Sequence, residues 1–289
     1  MAVNPPLTDR PPRPHRSRHA DRPALDPRLL RDLPPPWRAV DILAEAPSTN
    51  RLLADRARAG AEPGVVMVTE HQTAGRGRLG RTWETPPRAA LTFSALVRPV
   101  EVAEARWPWL TVLAGVAVAE GLAASGAPEC RLKWPNDVLC QDRKLGGLLA
   151  ERVDTPAGPA LVLGVGLNVS TADDELPVDG ATSLVLSGMA APDRTSLLRG
   201  LLEALGARYT RWVDDRGDPE PLAADYRRWC ATLGQQVRVD LPAGEVLEGV
   251  ARDVDRDGAL VLSTARGRVT VSAGDVVHLR PGRPSAGRP

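Results

Sequence analysis

Gln72-Thr73-Ala74-Gly75-Arg76-Gly77-Arg78-Leu79-Gly80-Arg81-Thr82-Trp83 is the stretch on which the reading of this chain turns. Its three glycines allow backbone torsions that other residues resist, and they expose successive N–H groups to an anion. Gly77 in particular is expected to need a positive φ or a close backbone approach. Arg76, Arg78 and Arg81 add guanidinium forks suited to phosphate or carboxylate, and Trp83 adds an apolar wall. The stretch follows an apolar strand and runs on into prolines. It is therefore neither a GxxxxGK[ST] loop nor a GxGxxG turn opening a helix. A solvated basic turn or an RNA-contacting segment would share this composition.

Working outward, the next informative stretch is Arg131-Leu132-Lys133-Trp134-Pro135-Asn136-Asp137-Val138, a strand, a proline turn and a strand. Of the 37 basic residues, 35 are Arg and two are Lys, at 133 and 144. In a chain that uses Arg wherever a generic cation serves, these two lysines stand out as candidates for work that needs a compact ammonium. Lys144 opens a strand that contains the pair Gly146-Gly147, where something can approach the backbone closely. Gly164-Val165-Gly166-Leu167-Asn168 clears one face of another apolar strand. A core strand packed on a helix would read the same way.

The 289 residues allow one large domain or a large and a small one. Net charge is 37 − 36 = +1, which disfavours a dedicated polyanion binder. No apolar run reaches the roughly 18 residues of a membrane span, and no secretory h-region is present. Three scattered cysteines (130, 140, 230) give neither a disulfide framework nor a CxxC metal site. They read as small buried hydrophobes. A reduced, cytoplasmic protein is expected, with no nucleic-acid or membrane partner.

Residues 1–36 hold ten prolines and seven arginines and are expected to form a disordered tail. Strands are predicted at 40–46, 64–70, 90–97, 130–133, 138–141, 144–153 and 160–169. Helices are predicted from Ser48 to Gly60, over 109–124, around 197–212 and over 219–233. Beyond Gly234, five short β-type runs in under 50 residues suggest a small closed barrel. The expected organisation is a tail over 1–36, a catalytic domain over 37–233, a barrel over 234–280 and a loose end over 281–289.

In this order and spacing, Ser48-Thr49-Asn50, the Gly/Arg stretch, Lys133-Trp134-Pro135-Asn136-Asp137, Lys144-Leu145-Gly146-Gly147 and Gly164-Val165-Gly166-Leu167-Asn168 resemble the biotin–protein ligases. The resemblance runs from about Val40 to Leu279. It implies an α+β fold, class II synthetase-like: a central mixed β-sheet with helices, followed by a small SH3-like β-barrel. It also implies formation of biotinyl-5′-AMP from biotin and ATP with Mg²⁺, then transfer to one lysine of a biotin carboxyl carrier domain. The catalytic residues so implied are Lys144, Arg78 and Lys133. Biotin would meet Ser48, Thr49, Asn50, Gln72, Gly75, Arg76, Gly77, Arg78, Lys144, Gly147 and Gly166. The adenylate would meet Arg76, Arg78, Arg81, Trp83, Lys133, Asn136, Asp137 and Asn168. No metal ligands are assigned. Leu79 stands where many relatives carry a further Arg. The family's bifunctional members begin with a DNA-binding winged helix-turn-helix, and here the proline-rich tail takes that place. A lipoate–protein ligase of the same fold and a biotin-responsive repressor are the competing readings.

Overall fold

The structure is a computed structural model and describes residues 22–190, 192–242 and 244–279. Its strands are β1 (Ala39–Leu43), β2 (Val65–Thr69), β3 (Gly75–Arg76), β4 (Thr82–Trp83), β5 (Ala90–Val97), β6 (Cys130–Lys133), β7 (Asp137–Cys140), β8 (Arg143–Thr155), β9 (Gly158–Asn168), β10 (Gln236–Asp240), β11 (Val246–Val254), β12 (Leu260–Thr264), β13 (Gly267–Val271) and β14 (Asp275–His278). The helices are α1 (Thr49–Arg58), α2 (Trp109–Ala124), α3 (Arg194–Asp214) and α4 (Pro219–Trp229). Seven strands form a mixed sheet in the order β1-β2-β5-β9-β8-β7-β6, parallel at β1–β2 and antiparallel elsewhere.

Strand alternation gives this sheet two different faces. Leu91, Phe93, Ala95 and Val97 of β5, with Leu161, Leu163, Val165 and Leu167 of β9, enter the main core together with α2 and α3. Helix α2 is buried almost all round, as a sequence whose one charged residue is Glu120 requires. The opposite face carries Thr92, Ser94 and Leu96 of β5 and Val162, Gly164 and Gly166 of β9. Helix α1 covers only part of that face. Its Leu53 and Ala57 pack with Met67, Leu96, Val153 and Val162. Beyond the first turn of α1, where Ser48 caps the helix by accepting from the Arg51 N–H, the sheet is left uncovered. The candidate functional site lies there.

The C-terminal strands form a five-stranded antiparallel sheet, β13-β12-β11-β10-β14. Its outer strands β13 and β14 are not paired with each other, so the expected barrel stays open along one seam. Val237, Val239, Ala251, Leu260 and Val276 share one core with the larger sheet. The Trp109 and Trp134 indoles donate to the carbonyls of Arg256 and Gly258.

One expectation is corrected. The tail predicted over 1–36 does not extend through residues 22–36. Leu25 and Leu30 are buried, and the Leu25 N–H donates to Glu70 Oε1 at 2.6 Å. Glu70 is paired at 2.5 Å with the equally buried Arg194, which also donates to the carbonyls of Pro23 and Ala90. A proline-rich composition hides this, because the segment is anchored by two leucines and by backbone groups rather than by any periodic pattern. The remainder of the predicted tail, residues 1–21, lies outside the described residues, as do residues 280–289.

Candidate functional site

A cavity of about 260 Å³ sits on the uncovered sheet face. Its floor contains one cross-strand row. Thr92 pairs with Gly166, Gly166 with Gly147, Gly147 with Asp137, and Asp137 with Lys133. The two central glycines keep the row low, while polar side chains rise at each end. A Cβ on Gly166 would fall 2.7 Å from the Trp83 ring, so the indole rests on this glycine. The Trp83 Nε1–H is buried and has no hydrogen-bond partner among the described residues. A Cβ on Gly164 would fall 2.1 Å from Asn50 Oδ1, so that glycine makes room for the Asn50 amide.

One end of the cavity is a buried, uncharged hydrogen-bond network. The Thr49 N–H donates to Gln72 Oε1 at 2.9 Å. Ser94 Oγ lies 2.7 Å from Thr49 Oγ1 and 2.6 Å from Asn50 Oδ1. Ser48, Thr49, Asn50, Gln72 and Ser94 are all nearly inaccessible to solvent.

The other end is cationic. Lys144 Nζ lies 2.5 Å from Asp137 Oδ1, and Lys133 Nζ lies 3.5 Å from Asp137 Oδ2. Arg78 Nη1 donates to Asn136 Oδ1 at 3.4 Å, and the Asn136 amide is held by the Leu148 carbonyl at 2.7 Å. Burial pulls the Arg78 guanidinium below its usual pKa, and Asp275 and Asp137 pull it back up. Arg81 is paired with Asp275 at the start of β14, so the C-terminal sheet supplies part of the wall through Asp275, Val276 and Val277. From Lys133 and Lys144 a groove runs outward past Val178, Asp179 and His278.

The structure gathers nearly every residue expected at the site around this cavity: Ser48, Thr49, Asn50, Gln72, Arg76, Gly77, Arg78, Arg81, Trp83, Lys133, Asn136, Asp137, Lys144, Gly147 and Gly166. Three expectations are corrected. Gly77 has φ −104°, and a Cβ there would meet Arg81 Cβ at an ordinary 3.4 Å. The positive-φ positions of the loop are Leu79 and Gly80 instead. Gly75 does not line the cavity. It closes the β3–β4 hairpin, where a Cβ would sit 2.2 Å from the Trp83 carbonyl. Asn168 is buried outside the lining, its amide donated to the Thr182 carbonyl at 3.0 Å. Sequence reasoning missed Ser94 and Asp275. Strand alternation from Thr92 offered a signal for Ser94. Nothing in the local sequence marks Asp275, which reaches the site from the second sheet.

No cluster of His, Cys, Asp or Glu among the described residues is arranged to hold a metal. The cavity's two carboxylates, Asp137 and Asp275, are already paired with cations. The described residues therefore offer no carboxylate cage for Mg²⁺. No helix of the described residues is long and apolar enough to cross a membrane.

Comparison with known proteins places the chain in a family. Residues 43–168 match the Biotin/lipoate A/B protein ligase family, and residues 232–279 match the Biotin protein ligase C terminal domain. The chain is 48% identical over 267 residues to the biotin–[acetyl-CoA-carboxylase] ligase of Mycobacterium tuberculosis, covering 90% of this chain and 97% of that protein. The chain belongs to the biotin protein ligases. It is also 33% identical over 230 residues to the bifunctional ligase/repressor BirA of Escherichia coli, across 78% of this chain and 69% of that one. The biotin protein ligase of Aquifex aeolicus, solved in complex with biotin and ATP, superposes with a TM-score of 0.71 at 26% identity, over 85% of this chain and all of that one. The α+β fold expected from the sequence is thus the ligase fold.

Proposed function

We propose that this chain joins biotin to ATP as biotinyl-5′-AMP and then passes the biotinyl group to a lysine of a carboxylase carrier domain. The observation that carries this reading is the division of one cavity into an uncharged hydrogen-bonding end and a cationic end, bridged by a row of glycines. A fused ureido ring carries both N–H donors and a carbonyl acceptor, and the Ser48–Thr49–Gln72 end offers matching partners. The low floor at Gly147, beside the Trp83 indole that rests on Gly166, suits the apolar body of the ligand.

The chemistry joins two anions. A biotin carboxylate oxygen attacks the α-phosphorus of ATP, an O–P bond forms, and pyrophosphate leaves. Lys144, Lys133, Arg78 and Arg81 are fixed cations placed to lower that electrostatic barrier. Asp137 holds both lysines until anionic ligands compete for them. In the second step the acceptor lysine nitrogen attacks the acyl carbon and AMP leaves. The proton lost by that nitrogen needs an acceptor, and Asp137, in contact with Lys144, is the placed carboxylate. The groove past Asp179 gives the carrier its approach. Mg²⁺ would enter on the phosphates of the nucleotide, as suits an ion that keeps several of its waters.

Lipoate is the competing substrate. Its dithiolane ring would leave the buried Thr49–Gln72 end without partners. Sites built to hydrogen-bond a substrate reject analogues lacking those groups by ~10⁴-fold or more. Pyrophosphate exchange with each acid tests this. Exchange that depends on biotin and is negligible with lipoate is expected. Equal rates would overturn the assignment of the polar end.

A further inference from the structure

Alternation along β8 places Glu151 on the same face as Gly147 and Leu149, at the edge of the uncharged end of the cavity. Its Oε2 accepts from Asn50 Nδ2 at 2.7 Å, and the Leu149 carbonyl accepts from the same nitrogen at 3.2 Å. Both partners only accept, so the orientation of the Asn50 amide is fixed by chemistry. Its Oδ1 must then face Ser94, and the 2.6 Å contact there must be donated by the Ser94 hydroxyl. Ser94 has one proton to give, so the 2.7 Å contact with Thr49 Oγ1 is donated by Thr49. Every proton in the chain Thr49→Ser94→Asn50→Glu151 therefore points toward the carboxylate. With its proton given to Ser94 over 2.7 Å rather than to Gln72 Oε1 at 3.4 Å, Thr49 Oγ1 can only accept from a ligand. Gln72 Oε1 takes the Thr49 N–H, which leaves the Gln72 amide nitrogen as a donor.

We propose that Glu151 is a positioning residue that sets the proton direction of this relay, so that the cavity presents an acceptor at Thr49 and a donor at Gln72 to the N–H and C=O of a cyclic urea. The inference rests on the biotin reading above. Glu151 acts through Asn50 and Ser94. A charged acceptor at the end of the chain holds one direction strongly. A neutral amide in its place can accept or donate, so the longer Leu149 contact at 3.2 Å is then the one acceptor left to oppose a reversed relay, which offers Thr49 as a donor where the ligand also donates.

The test is a double-mutant cycle of Glu151→Gln and Ser94→Ala in the full chain, read by biotin-dependent pyrophosphate exchange and by melting temperature. Each single variant is expected to raise KM for biotin by about 10–100-fold, the factor of a charge-assisted hydrogen bond. The kcat and the KM for ATP are expected to stay within twofold, with melting unchanged. Once Ser94→Ala has cut the relay, Glu151→Gln is expected to add nothing further. A biotin KM for Glu151→Gln within twofold of wild type would overturn the proposal. So would a double variant whose KM rises by the product of the single effects. If the unaltered chain shows no biotin-dependent exchange, the functional reading fails. Calorimetric binding of biotin to the same four proteins then decides on Glu151 by the same criteria.

Discussion

Lys144→Arg keeps the charge and changes its shape, which makes it a demanding perturbation of the site. The Lys144 backbone is clamped independently of its side chain. Its N–H donates to the Gly180 carbonyl and its carbonyl accepts from the Thr182 N–H, both at 2.8 Å. The side chain is about one-third exposed, at 36%, and ion pairs of this kind contribute about 0–1 kcal/mol to stability. Folding should therefore be nearly unaffected. Function should not be. One ammonium 2.5 Å from Asp137 can turn from that carboxylate to the biotin carboxylate and then to the acyl phosphate. A guanidinium is planar and bulkier, and it must share the end of the cavity with Lys133, which pairs with the same Asp137. Loss of one charge-directed contact in a preorganised site costs about 3–4 kcal/mol, or ~10²–10³ in rate. Single-turnover adenylation and carrier transfer, measured separately for Lys144→Arg, should each fall by that factor with an unchanged melting temperature. If both rates stay within threefold of wild type, Lys144 serves only as an ordinary hairpin cation.

Further outcomes are expected. Deleting residues 1–36 removes buried Leu25 and Leu30, worth about 1.5–3 kcal/mol each. It also strips partners from the Glu70–Arg194 pair, and scanning calorimetry should show melting lowered by roughly 10–20 °C. Gly164→Ala would drive a Cβ into Asn50 and should raise KM for biotin at least about tenfold. Gly77→Ala meets only an ordinary contact at Arg81 and should melt like wild type, so a collapsed fold there would refute the loop geometry. Burial and Lys133 hold the His278 imidazole below its usual pKa, against the opposing pull of Asp142. The unfolded chain thus binds more protons there, and stability rises with pH. That contribution is present above about pH 6.5 and lost as pH falls through the lower folded value. Melting curves between pH 5 and 7.5 should show less acid loss in His278→Gln than in wild type.

The parts of the site that could be read from sequence are those where residue type is constrained by chemistry. Lys133 and Lys144 stand out as the two lysines of an Arg-rich chain, and both reach Asp137. Gly164 and Gly166 stand out because any Cβ would meet Asn50 or Trp83. Helix α2 and strands β5 and β6 could be bounded exactly because their apolar runs are flanked by clear breaks. Other features could not be read. Ser94 is an ordinary strand residue until β9 brings Gly164 beside it. Asp275 acquires a role only when the second sheet docks near Arg81. Leu25 and Leu30 lie among prolines, where no period marks a buried face. Asn168 sits on the correct strand and the correct face, yet its amide is committed to Thr182, a contact set by a distant loop.

The central claim is that one cavity both activates biotin and delivers it to a protein lysine. Intact-mass analysis of a purified carboxylase carrier domain, incubated with the full chain, ATP, Mg²⁺ and equimolar biotin and lipoate, tests this most directly. The account predicts a single biotinyl addition to one lysine of the carrier, dependent on ATP and absent when the carrier lysine is replaced. Lipoyl addition, or no addition while biotin is present in excess, would contradict it.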